Sequence, residues 1–324
     1  MRNRPTPRAF LATAAAAALA LGALTACGDD ASSDTGAVAG KLDVVAAFYP
    51  LQFVAERVGG DAVSVTNLAK PGAEPHDLEL NADQVAQIAD AKVVVYLKGF
   101  QPAVDEAVEQ QGGDRAFDVS TAVPLLDATA GHEHEGEEAG AEEEEHEEAA
   151  GGKDPHVWLD PTRLATIGEK VAERLGQADP DHAADYTARA ATLRTDLDTL
   201  DKEYAAGLKT CQRREIVTSH SAFGYLADRY DLEQIGITGL TPEDEPSPQR
   251  LAEVATEARE HKATTIFFET LVSPKVAETI ANEVGAKTAV LDPIEGLQPG
   301  SSDDYFSVMR KNLATLEPAL GCST

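Results

Sequence analysis

Basic residues are scarce in this 324-residue chain: 27 Lys and Arg stand against 56 Asp and Glu, for a formal net charge of −29. So acidic a surface disfavours nucleic acid as a partner and suits either the handling of cations or plain solubility. The motifs of common enzyme classes are missing too. There is no HExxH, no GxSxG and no Gly-rich phosphate loop, which leaves a metalloprotease, a serine hydrolase or a nucleotide enzyme without its usual machinery. Past the N-terminal stretch, no apolar run approaches the length of a membrane span.

That first stretch has the layout of an export signal. Arg2, Arg4 and Arg8 precede an Ala/Leu-rich run from Ala9 to Ala26, which ends in Leu24-Thr25-Ala26-Cys27-Gly28. A small-residue site with cysteine at the cleavage point looks like a bacterial lipobox, so Cys27 is the expected lipidated first residue. An uncleaved anchor is the rival, but the run is mostly alanine and barely long enough. Loss of residues 1–26 removes three arginines and no acid, which carries the formal charge to −32. Cysteine is otherwise confined to Cys211 and Cys322, an even pair in an oxidising compartment and therefore an expected disulfide, with two free metal-binding thiols as the alternative.

Residues 27–41, rich in Asp, Ser, Gly and Ala, read as a flexible tether. Beyond it the chain alternates β-rich runs with helical patterns. Strands are predicted at 42–48, 63–68 and 92–97, with helices at 50–58, 81–89 and 101–110. The rhythm returns after Cys211, with strands at 215–219, 234–237, 264–268 and 287–291 and helices at 222–229, 247–261, 274–284 and 303–316. Such alternation argues α/β architecture with parallel sheets. Two α/β domains are expected, at 42–165 and 209–324. Residues 166–208 should form connecting helices, with 181–207 one long helix and hence a stiff connector. The segment 131–152 holds ten Glu and three His without an aromatic or β-branched residue and reads as a mobile loop. Asp160 followed by Pro161 reads as a helix N-cap.

Eight histidines divide by context. His182 and His261 sit in polar helical patterns with no evident partner and read as surface residues. His132, His134 and His146 lie in the acidic loop and form a possible capture site for metal. His76, His156 and His220 fall in PGAEPHDLEL, KDPHVWLDP and IVTSHSAFGYL, at loops or strand ends where α/β proteins place ligand sites.

These three segments, with the His/Glu-rich insert in the same order, resemble the zinc- and manganese-binding receptors of bacterial ABC importers, most closely the zinc branch of ZnuA and AdcA type. The resemblance spans about Leu42 to Cys322. It implies two α/β domains joined by a long helix, metal in the cleft between them, and His76, His156 and His220 as ligands. The segment Val290–Leu297 is similar to the fourth-ligand loop, with Glu295 the nearest positional match and Asp292 the second. Export, attachment to the outer face of the cytoplasmic membrane through lipid, a monomeric state and an ABC permease as partner are implied likewise.

Chemistry agrees with zinc, because neutral imidazoles and one carboxylate make a tetrahedral N/O site with Zn–N near ~2.0–2.1 Å. Manganese favours a larger share of carboxylate oxygen. Three readings compete with a zinc receptor. They are a receptor for manganese, nickel or copper, an adhesin-like lipoprotein whose metal is structural, and a zinc hydrolase with Glu295 as general base.

Overall fold

The computed structural model describes residues 40–128 and 152–323. The predicted leader, Cys27, most of the tether and the loop histidines His132, His134 and His146 lie outside the described residues.

Two four-stranded parallel sheets organise the chain. The first contains β1 (Leu42–Ala46), β2 (Val63–Asn67), β3 (Val93–Tyr96) and β4 (Ala116–Asp118), in the order β2-β1-β3-β4. Helices α1 (Tyr49–Gly59), α2 (Ala82–Asp90) and α3 (Pro102–Gln111) make the crossovers. The second sheet repeats the plan with β5 (Glu215–Thr218), β6 (Glu233–Gly236), β7 (Thr265–Phe268) and β8 (Lys287–Val290), in the order β6-β5-β7-β8. Its helices are α6 (Gly224–Tyr230), α7 (Pro248–Glu260) and α8 (Lys275–Val284), and α9 (Tyr305–Leu320) closes the chain. All strand pairs are parallel, as the continuous apolar runs Val93–Val95 and Ile266–Phe267 require of strands buried on both faces.

Between the sheets lie α4 (Pro161–Ala178) and α5 (Ala183–Gly207). Asp160 caps α4 by accepting from Thr162 N at 2.8 Å, with Pro161 at the first helical position. In α5 the buried residues Tyr186, Ala190, Leu193, Leu197, Leu200 and Tyr204 recur at alternating steps of four and three. That draws one apolar stripe along 25 residues, roughly 37 Å of helix at ~1.5 Å each. The helix packs on α4 and α1 from the first half and on α9 from the second, and Tyr204 Oη donates to Met309 O at 2.6 Å.

One buried apolar cluster runs from β1 and β3 through α4 and α5 to α9, and a smaller one packs α7 and α8 onto the other face of the second sheet. Cys211 and Cys322 are joined across 111 residues of sequence, tying the approach to β5 to the chain's tail. No described helix is long and apolar enough to cross a membrane.

Candidate metal centre

Parallel sheets present the loops after their C-terminal strand ends to ligands, and every residue of the centre comes from such a loop. His76 follows β2 and His156 follows β4. His220 follows β5, and Glu295 follows β8. The two halves thus contribute two residues each to one point in the cleft between them. One potential ligand atom from each of the four lies within 4.8 Å of all the others. Glu295 Oε1 is the hub: His76 Nε2 stands 3.4 Å away, and His156 Nε2 and His220 Nε2 are each at 3.2 Å. Exposure is 9% for His76, 0% for His156 and 1% for both His220 and Glu295. Asp292, the second choice for the fourth position, is occupied elsewhere. Its carboxylate accepts from Thr270 Oγ1 at 2.7 Å and Ile294 N at 2.8 Å, so it shapes the loop that carries Glu295.

Two of the imidazoles are oriented by buried acids that sequence reasoning missed. His156 Nδ1 is 2.8 Å from Asp154 Oδ1, which also accepts the His156 backbone N–H at 2.9 Å. His220 Nδ1 is 2.7 Å from Glu269 Oε1, which takes the Ser219 hydroxyl at 2.7 Å as well. A carboxylate at Nδ1 selects the tautomer with its proton there and turns the Nε2 lone pair inward, the usual support of a metal-bound histidine. His76 has no carboxylate on Nδ1 among the described residues. Its ring instead meets the Phe100 ring at 4.4 Å between centroids. Its backbone N–H donates to Glu74 Oε1 at 3.0 Å, so Glu74-Pro75-His76 and Asp154-Pro155-His156 repeat one acid-Pro-His turn.

Behind the clustered histidines stands Trp158, fully buried, its ring 5.3 Å from that of His156 and packed against Phe48 and Phe100. Its Nε1 donates to Pro293 O at 2.7 Å, which joins the His156 loop to the Glu295 loop. Between Pro293 and Glu295, Ile294 holds φ at 61°, a left-handed conformation unfavourable for a β-branched residue and held here by the bonds to Asp292 and Trp158.

The electrostatics are those of a cation site. Burial pulls the His76 pKa down, against the attraction of Glu295. Burial acts the same way on His156 and His220, but there the neighbouring acids prevail. His156 is raised by Asp154 and Glu295, and His220 is pushed up to about 10 by Glu269 and Glu295. Burial opposes ionisation of Glu295, yet the three imidazoles hold it well below the usual carboxylate range. Glu74 is pushed up to about 8, first by burial and then by Glu295. Glu74, Glu269 and Glu295 themselves lie within 4.8 Å of one another through one oxygen each. Four buried atoms here, Glu74 Oε2, Glu269 Oε2, Glu295 Oε2 and His156 Nε2, have no hydrogen-bond partner. For His156 Nε2 the 3.2 Å approach to Glu295 is off the hydrogen-bond line. Each unpaired buried group costs about 1–3 kcal/mol, and a cation beside Glu295 and His156 would engage the lone pairs left open there.

The profile of the family described as ZnuA, zinc-uptake complex component A, periplasmic, matches residues 44–319. This chain is a member of the ZnuA family. Among its ZnuA-type relatives, the zinc-binding protein AdcA of Streptococcus pyogenes serotype M3 is 38% identical over 286 residues, which cover 86% of this chain and 56% of that protein. The chain thus spans little more than half the length of the AdcA relatives it matches. The high-affinity zinc uptake system protein ZnuA of Bacillus subtilis is 35% identical over 306 residues, 92% of this chain and 93% of that one. Among solved structures, the Zn(II)-bound ZnuA-like domain of Streptococcus pneumoniae AdcA superposes with a TM-score of 0.71 at 34% identity, covering 87% of this chain and 99% of the domain. The α/β architecture with its site between two domains is therefore the ZnuA architecture.

The remaining described histidines are peripheral, but each has a partner the sequence did not suggest. His182 Nδ1 is 2.7 Å from Asp179, and His261 Nδ1 is 3.2 Å from Glu215.

Proposed function

We propose that this protein is an extracytoplasmic zinc receptor that captures Zn²⁺ through His76, His156, His220 and Glu295 and passes it to an ABC permease. The observation that carries the reading is the convergence of three imidazole Nε2 atoms on Glu295 Oε1, with two rings turned inward by buried acids. Three nitrogens and one carboxylate oxygen suit tetrahedral zinc better than manganese.

Zinc is the cargo, so capture must be reversible. Because the ligands are split two and two between the halves, a small parting dismantles the site without unfolding either sheet. Helix α5, packed on both halves, limits that parting to a short excursion. Burial of all four groups leaves the ion as the only species handled, which makes the protein a receptor and not an enzyme. Export with cleavage before Cys27, lipid attachment there to the outer face of the membrane, a monomeric state and capture of scarce zinc by His132, His134 and His146 complete the proposal. So does the division at 42–165, 166–208 and 209–324.

The test is a titration of metal-stripped protein from residue 28 onward with Zn²⁺ and Mn²⁺ against a competing chelator, beside a His76→Ala/His156→Ala/His220→Ala variant. Tight zinc binding, weak manganese binding and loss of the zinc site in the variant are expected. Tight binding that survives the triple substitution would overturn the ligand assignment.

A further inference from the structure

Helix α6 starts four residues after His220, and its first two residues both reach across the cleft to the segment that carries His156. The Tyr225 hydroxyl donates to Asp154 O at 2.7 Å and accepts from Leu126 N at 2.9 Å. Leu126 and Asp154 are themselves paired, since Asp154 N donates to Leu126 O at 3.0 Å. One step outward, Asp127 and Lys153 form an antiparallel bridge and an ion pair. A single phenol from the second half therefore fastens both sides of the stem at which residues 126–128 and 152–154 meet.

Gly224 makes the second contact. A methyl group on its Cα would stand 2.5 Å from Asp154 Oδ2 and 3.7 Å from Cγ, so the carboxylate rests against backbone that only glycine leaves bare. The other oxygen, Oδ1, is the one that holds both the backbone N–H and the Nδ1 of His156. Asp154 is buried, so a side chain at position 224 would press directly on the carboxylate that orients His156.

We infer that Gly224 and Tyr225 are positioning residues for metal capture: they seat Asp154, and through it the ring of His156, from the half of the molecule that bears His220. The inference rests on the zinc-receptor reading. Its physical content is a coupling. Movement of the β5–α6 loop away from the first half withdraws His220 from the ion and, in the same motion, removes the seat of Asp154, so two of the three imidazoles loosen together.

The experiment is a double-mutant cycle in the full mature protein. Zinc affinity is measured by chelator competition for the wild type, Gly224→Ala, Tyr225→Phe, His156→Ala and the two double variants, with the visible spectrum of bound Co²⁺ as a report of ligand geometry. Gly224→Ala should weaken zinc about 10-fold, in the range for residues behind a metal ligand, and Tyr225→Phe by a smaller factor. Both should alter the Co²⁺ spectrum, and neither should weaken zinc further once His156 is alanine, because interacting residues are not additive. Losses that add in full to that of His156→Ala, or unchanged zinc binding in both variants, would overturn the inference. Tyr225→Phe keeps shape and volume and so carries the test should Gly224→Ala fold poorly. A wild type without zinc affinity would remove the receptor reading and the inference together, whereas tight wild-type binding with unaffected variants removes the inference alone.

Discussion

His220 in the second half and His76 in the first reach the same carboxylate oxygen, yet they are held very differently. The His220 ring is clamped by Glu269, and its own carbonyl accepts from Thr218 and Gln234. His76 is placed by a backbone bond to Glu74 and by its contact with the Phe100 ring, with no acid on its Nδ1 among the described residues. His156 sides with His220 through Asp154. The contrast separates two tasks. On the proposed zinc reading, preorganised rings would lower the ordering cost of binding, and a less constrained third ring at the less buried edge would complete the coordination.

The sharpest way to break that comparison is to remove each ring in turn. His220→Ala deletes a proposed ligand that is firmly held and leaves the buried Glu269 carboxylate with only the Ser219 hydroxyl, so zinc affinity should fall beyond the roughly 100-fold that bounds changes behind a ligand. A larger loss for His76→Ala in the same competition assay would reverse the assignment of roles. Next comes Glu269→Gln, which keeps the size of the side chain while removing the charge that orients His220. A loss of about 10–100-fold is expected, and chelator competition with matched Co²⁺ spectra reads it. Unchanged affinity would mean that the ring needs no clamp. Phe100→Leu addresses the other side. Aromatic pairs contribute about 0.5–1.5 kcal/mol, so zinc should weaken by no more than about tenfold, with the Co²⁺ spectrum preserved. Smallest of all for zinc is Cys322→Ser. Cys211 precedes β5 while His220 follows it, which puts the disulfide at the far end of the strand from the metal. Affinity should be unchanged, while stability in denaturant drops by up to about 4–5 kcal/mol in the chain-entropy treatment of a loop this long.

Much of this fold is legible in sequence because strand runs such as Val93–Val95 and Ile266–Phe268 are uniformly apolar and the intervening helices carry clear start signals such as Asn81 and Ser247. Strand β4 is not, since Ala116–Asp118 is three half-buried residues with no periodicity. The four residues that cluster, His76, His156, His220 and Glu295, are readable from their loops and order. The acids behind them are harder to see. Asp154 and Glu74 each sit two residues before one of the clustered histidines, across a proline, and that repeated spacing is a usable signal. Glu269 offers only its position as a charge directly after the apolar run of β7, and nothing local says that it will face a histidine 49 residues earlier. Its role depends on tertiary placement across the β5–β7 pair.

Trp158 is the only tryptophan in the chain, and it lies between the His156 ring and the Pro293 carbonyl beside Glu295. Indole emission responds to ring neighbours and to the hydrogen bond at Nε1, so the molecule has a built-in optical reporter at the seam of its two halves. Loading and unloading can be followed in real time on unlabelled protein, and a signal from a lone buried indole needs no assignment.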